Sequence, residues 1–164
     1  MRQLWTPWRL AYILKDKKPA QKCVFCAKIT AEDAEEHVLY RGKHCFITLN
    51  RYPYNNGHLM VVPYLHTPSL ESLDDETSLE LMTLVRKTLH ILRDSYHPDG
   101  FNLGVNEGSI AGAGIAGHVH FHIVPRWSGD VNYMSAVGEV RVIPEMLDDT
   151  YKRLKPYYEA LPHL

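Results

Sequence analysis

The sequence lacks an excess of charge of either sign: 18 Lys and Arg stand against 19 Asp and Glu, for a formal net charge of -1 at neutral pH. A non-specific nucleic-acid binder carries a basic excess or a basic stripe, so the balance argues against that class. It leaves room for a small anionic ligand, which needs only local donors. Long apolar runs are also missing. No stretch reaches the ~18–20 residues of a membrane span, and at the N-terminus, MRQLWTPWRLAYILKDKK, Pro7 and Arg9 interrupt the apolar residues before a signal-peptide core can form. A soluble, cytoplasmic protein with no nucleic-acid or membrane partner is expected. Cysteine is scarce and odd in number, at three, which argues against a disulfide framework.

What is present starts with length. A chain of 164 residues holds one domain with a real core and is too short for two comfortable ones. The expected organisation is an aromatic arm at 1–22, carrying Trp5 and Trp8 and ending in KDKKPAQK, then a single domain at 23–164 with a C-terminal helical extension. Strand material runs through 37–49, with RGKH as the turn between HVLY and CFITLN, and again through HLMVVP and FNLGVN. From about Ser72 to Tyr96 the pattern becomes helical: Leu81, Leu84, Val85, Leu89 and Leu92 recur at three- and four-residue steps. Acids crowd the start of this segment, and Arg86, Lys87 and Arg93 follow in later turns, as the helix dipole favours. Pro98 and Gly100 stop the helix, and Pro144 to Leu161 predicts another at the C-terminus. Together these elements predict an α+β fold, an antiparallel sheet of about five strands with one long central helix and a C-terminal helix.

Residues 110–127 read IAGAGIAGHVHFHIVPRW, and GAGIAG matches the dinucleotide fingerprint G-x-G-x-x-G. That fingerprint works only where the glycines open a helix whose N–H groups meet a pyrophosphate. Here HVHFHIV follows, with Val119, Phe121 and Ile123 alternating with His118, His120 and His122, which is the period of a strand. The alternation places three imidazoles on one side of the strand, lining a cleft if the apolar side is core. Imidazole near neutral pH serves as nucleophile, general acid or metal ligand, so three uses are open. Gly108, Gly112, Gly114 and Gly117 leave backbone amides unobstructed beside them, which suits an anion.

Cys23 and Cys26 form C-V-F-C, half of a tetrahedral zinc site or a redox pair. A thioredoxin-like pair needs a neighbouring βαβ unit, and the pattern contains none. Cys45, in the apolar HCFITLN, is expected in the core.

From about Cys23 to Asp130 the chain resembles the histidine triad family of nucleotide hydrolases and transferases. HVHFHIV matches its signature of alternating histidines followed by two apolar residues, and in NRYPYNNGHLMVVPYLH, Asn50 precedes His58 by eight residues, as in the family's upstream segment. NEG at 106–108 resembles its phosphate-side loop. The resemblance implies a histidine-triad-like fold and a nucleotidyl transfer in which His120 attacks an α-phosphorus and forms a covalent nucleotidyl-histidine. His122 would hydrogen-bond the phosphate, and His118 would complete the catalytic triad. Asn106 and the amides of Gly112, Gly114 and Ile115 would stabilise its oxygens, and Asn50 would hold the ribose, with His58 in the same nucleotide site. The nucleophile's other nitrogen should donate to a fixed acceptor, expected to be a backbone carbonyl. The zinc-containing branch further implies a structural Zn2+ on Cys23, Cys26, His66 and His118, with no organic cofactor.

Hydrolase branches usually carry Gln and then Ser or Thr four and three residues before the first triad histidine, where this chain has Gly114 and Ile115. PRWSGDVNYM and LWTPWRLAYI instead resemble the branch that phosphorolyses diadenosine tetraphosphate. That resemblance implies adenine nucleotides or dinucleoside polyphosphates as substrates, inorganic phosphate as acceptor, and Trp127 bordering the nucleotide or acceptor site. Two alternatives stand beside it: a hydrolase of dinucleoside polyphosphates, phosphoramidates or adenylylated adducts, and a zinc-stabilised nucleotide-binding module. The family often dimerises through its long helix and an edge strand, so a homodimer is expected.

Overall fold

The computed structural model describes residues 23–130 and 145–162. The aromatic arm expected at 1–22, the VNYM stretch and Pro144 lie outside the described residues. Two short helices, α1 (Val24–Lys28) and α2 (Asp33–Glu36), precede strands β1 (Val38–Arg41), β2 (Cys45–Leu49) and β3 (Leu59–Pro63). The long helix α3 (Asp75–Tyr96), strands β4 (Gly100–Val105) and β5 (Phe121–Arg126), and the helix α4 (Leu147–Glu159) follow. The strands form one five-stranded sheet in the order β1-β2-β3-β5-β4, and every neighbouring pair is antiparallel. This is the expected α+β architecture.

β2 and β3 are buried along their whole length, because both faces of the central sheet are covered. On one face Cys45, Ile47, Leu49, Leu59, Val61 and Ile123 pack with Leu81, Leu84, Val85, Ile91 and Leu92 of α3 and Leu154 and Tyr158 of α4. The other face holds a smaller cluster in which Phe25 of α1 packs on Val38, Phe46, Met60 and Val62. Fully covered strands need apolar residues at consecutive positions, which explains why CFITL and LMVVP read as runs and not as alternations. Deep in the larger cluster Tyr158 donates its hydroxyl to Thr88 Oγ1 at 3.0 Å, so the polar tip of a fully buried ring is satisfied.

Helix α3 starts three residues later than the periodicity suggests. Leu70–Ser72 forms a separate 3-10 turn, and the Asp74 carboxylate caps α3 by accepting from the Thr77 amide at 2.8 Å. At its C-terminus His97 takes the left-handed conformation, φ 47°, before Pro98 ends the helix. The histidine segment also differs from expectation: the β3–β5 ladder runs only from Val61–Phe121 to Leu59–Ile123. His118, Val119 and His120 lie ahead of the strand: in the extended register His120 and Val119 would face Val62 and Pro63, but the Val119 amide donates instead to the Thr67 carbonyl at 2.7 Å, so the ladder stops before β3 does.

Arg41 ties the N-terminal helices to the sheet. Its guanidinium donates to the carbonyls of Lys28, Ile29 and Ala31 and to Asp33 at 2.8–3.1 Å. Lys155 of α4 reaches the same Asp33 and the Leu39 carbonyl, each at 3.2 Å. Among the described residues, no helix is long and apolar enough to cross a membrane.

Leu84 is fully buried whereas Leu79, on the same helix, is exposed. Leu84→Ala should therefore lower unfolding free energy by about 2–5 kcal/mol through lost burial and the cavity left behind. Leu79→Ala should stay within about 0.5 kcal/mol. Urea denaturation of the two variants checks the contrast.

Candidate active site

The N-terminal segment and the histidine segment meet at a four-residue cluster. The ligand atoms of Cys23, Cys26, His66 and His118 all lie within 4.8 Å of one another. Nδ1 of His118 is 3.4 Å from the Cys23 sulfur, 3.6 Å from the Cys26 sulfur and 3.2 Å from Nδ1 of His66, which in turn is 3.2 Å from the Cys26 sulfur. With metal–sulfur bonds of ~2.3 Å and metal–nitrogen bonds of ~2.0–2.1 Å, a tetrahedron has sulfur–nitrogen edges of about 3.5 Å and nitrogen–nitrogen edges of about 3.3 Å. The three sulfur–nitrogen distances and the one nitrogen–nitrogen distance above, 3.2–3.6 Å, lie close to those edges. Nε2 of His118 is 2.9 Å from the Pro63 carbonyl, which can only accept, so the proton sits on Nε2 and the Nδ1 lone pair faces the sulfurs. A cation at the centre would draw on lone pairs of all four residues once the two thiols give up their protons. The donor set fits a borderline-soft divalent ion.

His118 is thereby committed at both ring nitrogens, although the triad pattern also gave it a place in catalysis. What it offers the neighbouring chemistry is its main chain. Nδ1 of His120 donates to the His118 carbonyl at 2.9 Å, which supplies the expected fixed acceptor. Nε2 of His120 therefore carries the lone pair. Burial pushes the His120 pKa below the usual histidine range, so the ring is neutral near pH 7. Phe25, between the two cysteines, lies 4.8 Å ring-to-ring from His120 and 5.4 Å from His118.

The third histidine is set by a different chain of hydrogen bonds. The Tyr54 amide donates to Nδ1 of His58 at 3.0 Å, so the His58 proton is on Nε2. Nε2 of His58 lies 2.9 Å from Nδ1 of His122 and donates to it, leaving His122 with its own proton on Nε2. The two rings are thus complementary: His120 presents a lone pair and His122 presents a donor, with ring centres 4.7 Å apart. Asn50 joins the group, its Nδ2 lying 3.4 Å from each nitrogen of His58.

The remaining expected residues fall into two sets. Val105 pairs with Phe121, and extending that register puts Asn106 opposite His120. Gly112 caps a 3-10 turn at φ 90°, a backbone that favours glycine, and Gly114 and Ile115 follow in the loop that returns to His118. The Ile115 side chain packs against the Phe25 cluster. Trp127 lies elsewhere: it follows the far end of β5, five residues and ~16 Å of strand beyond His122, and its indole donates to the Tyr96 carbonyl at 3.3 Å.

The HIT domain is matched over residues 31–129, the greater part of the chain. The protein belongs to the histidine triad (HIT) family. Over 171 aligned residues it is 39% identical to the AP-4-A phosphorylase of Mycobacterium tuberculosis, an alignment that covers 99% of this chain and 87% of that protein. Its fold is similar to a zinc-bound histidine triad family protein from Mycobacterium smegmatis, with a TM-score of 0.68, 27% identity, and coverage of 84% of this chain and 94% of that one. A histidine triad nucleotide-binding protein from Sulfolobus tokodaii has a TM-score of 0.67 at 28% identity and covers 84% of this chain and 92% of its own.

Within this HIT fold, sequence reasoning passed over Phe25 and Tyr54. Phe25 is signalled only by its place inside C-V-F-C. Tyr54 acts through a backbone amide, which no side-chain pattern reveals.

Desolvation, with the neighbouring His120 adding to it, pushes the pKa of His122 down to about 4 from 6.5. Below 6.5 the unfolded chain takes up the proton more readily than the folded one, so stability is unaffected above that pH and declines as pH falls towards about 4. His122→Gln removes this titration. At matched metal content, the fall in urea midpoint between about pH 7 and about pH 5 should be smaller in the variant than in the unmodified protein.

Proposed function

We propose that this HIT protein is a nucleotidyltransferase that phosphorolyses dinucleoside polyphosphates such as diadenosine tetraphosphate through a nucleotidyl-His120 intermediate. One observation carries the reading: the hydrogen bond from Nδ1 of His120 to the His118 carbonyl leaves a neutral, buried Nε2 lone pair beside the Nε2–H of His122. Near-full-length similarity to an AP-4-A phosphorylase supports the choice of substrate class.

In the first step Nε2 of His120 attacks the α-phosphorus, a phosphorus–nitrogen bond forms, and the bond to the bridging oxygen breaks with release of ATP. His122 donates its Nε2–H to a phosphate oxygen as charge develops, and Asn106 with the amides of Gly112, Gly114 and Ile115 supplies further donors. Asn50 holds the ribose and His58 keeps His122 in its donor form. In the second step a phosphate oxygen attacks the same phosphorus, the phosphorus–nitrogen bond breaks, and ADP leaves. Activating water calls for positioned polar groups. Gly114 has no side chain and Ile115 is turned into the apolar Phe25 cluster, whereas inorganic phosphate brings its own anionic oxygen and can be held by amides.

Cys23, Cys26, His66 and His118 would hold Zn2+, which supplies a structural cross-link between the C-V-F-C segment and the histidine segment. A homodimer through α3 and the edge strand β4, where Leu103 is exposed, belongs to the same reading.

With diadenosine tetraphosphate, added phosphate should accelerate turnover and yield ATP and ADP, with labelled phosphate recovered in the ADP. AMP as the partner of ATP, with no effect of phosphate, would establish the hydrolase instead. His120→Ala should lower turnover by at least about a thousandfold while nucleotide binding persists. Retained turnover in that variant would remove the nucleophile assignment. Elemental analysis should find about one zinc per chain, lost on acidification together with stability. Cys23→Ser with unchanged metal content and stability would contradict the zinc site.

A further inference from the structure

Neither the triad nor the metal cluster accounts for Asn55 and Asp130. Asp130 is almost enclosed, its side chain 12% exposed, and it accepts from Arg126 at 2.6 and 2.8 Å, from the Trp127 amide at 3.2 Å and from Asn55 Nδ2 at 2.9 Å. Asn55 Nδ2 also donates to the Pro125 carbonyl at 3.2 Å. The side chain of Asn55 therefore clamps the turn between β2 and β3 onto the end of β5. Its main chain does the rest: the Asn55 carbonyl accepts from the His58 amide at 3.2 Å, which closes the turn. That closure brings the Tyr54 amide to Nδ1 of His58 at 3.0 Å.

We infer that Asn55, anchored by Asp130, is a positioning residue that sets the proton position on His58 and, through it, on His122. The inference rests on the proposed nucleotidyl transfer, in which His122 must present Nε2–H to phosphate. From the Tyr54 amide onward, each link follows from which group can donate. A backbone amide can only donate, so His58 Nδ1 must accept and its proton must sit on Nε2. His122 Nδ1 then accepts, and its proton points away from His58. Releasing the turn frees the Tyr54 amide from His58; Asn50 Nδ2, 3.4 Å from each nitrogen of that ring, favours neither, so both imidazoles regain access to the other tautomer. Half of the resulting arrangements would present a lone pair, not a donor, to an anionic phosphate. The Asn55 side chain bonds to Pro125, Asp130 and Asn56 and touches no reacting atom.

Two-bond 15N–1H spectra of the histidine side chains in the full-length, zinc-loaded protein read the tautomers directly. His58 and His122 should both be protonated at Nε2, and Asn55→Ala should convert one or both into a tautomer mixture. In the same variant kcat should fall about tenfold with KM changed less than about twofold, the pattern of a lost transition-state donor. Asp130→Asn separates positioning from stability: it loses the ion pair with Arg126 and should lower Tm, yet it keeps an acceptor for Asn55 and should keep both tautomers. The inference is overturned if Asn55→Ala leaves both tautomers as they were, or if Asp130→Asn scrambles them as fully as Asn55→Ala. The proposed phosphorolysis fails separately, by releasing AMP from the unmodified protein, an outcome that leaves the tautomer readout standing.

Discussion

The main-chain carbonyl of His118 decides which nitrogen of His120 can act. A carbonyl has lone pairs and no proton, so the imidazole that faces it must present N–H, and the opposite nitrogen is left as a base and nucleophile. Without that acceptor the ring would divide itself between two tautomers. The carbonyl holds its place because the rest of His118 is held from two sides, by the Pro63 carbonyl at Nε2 and by the sulfur–nitrogen cluster at Nδ1. One residue thus connects a candidate metal site, through its side chain, to a candidate nucleophile, through its backbone.

Burial makes this arrangement effective. Phe25 covers His118 and His120 from the α1 side, and the doubly covered centre of the sheet supports them from below. Excluding water costs the imidazoles their charged forms, which is why the His120 and His122 pKa values lie below the ordinary histidine value. In their neutral forms His120 keeps a lone pair on Nε2 and His122 keeps a donor there, the pair of roles that the proposed transfer calls on. Arg41 and Lys155 serve the same end from a distance: by binding the carbonyls and carboxylate of the 28–33 segment they keep α1, and hence Phe25 and the cysteines, against the sheet.

Local pattern was a good guide wherever the deciding contacts are local. Alternation in HVHFHIV, the three- and four-residue steps of Leu81 to Leu92 and the turn at RGKH each depend on neighbours a few residues away. They predicted strands and helices within a few residues of their observed bounds. The departures occur where a distant segment intervenes. Asp74 caps α3 and so delays its start, and the Thr67 carbonyl takes the Val119 amide, which leaves His118 and His120 outside the ladder. The place of β5 between β3 and β4 could not be read from the order of strands along the chain, since strand neighbours are chosen by matching faces and edges brought together only on folding.

The amino-acid sequence by itself determined the period-two placement of three imidazoles, the glycine-rich approach to them and the C-x-x-C that precedes the sheet, because residue spacing and backbone geometry dictate these. Family resemblance, and not spacing, distinguished His66 from His58. The tertiary structure put His66 3.2 Å from a cysteine sulfur and His58 2.9 Å from His122. It also left Trp127 at the far end of β5 and enlisted the Tyr54 amide and Asn55 behind the histidines. The proton on an imidazole goes to whichever nitrogen faces an acceptor, and for His58 and His122 that depends on groups contributed from more than one segment of the fold.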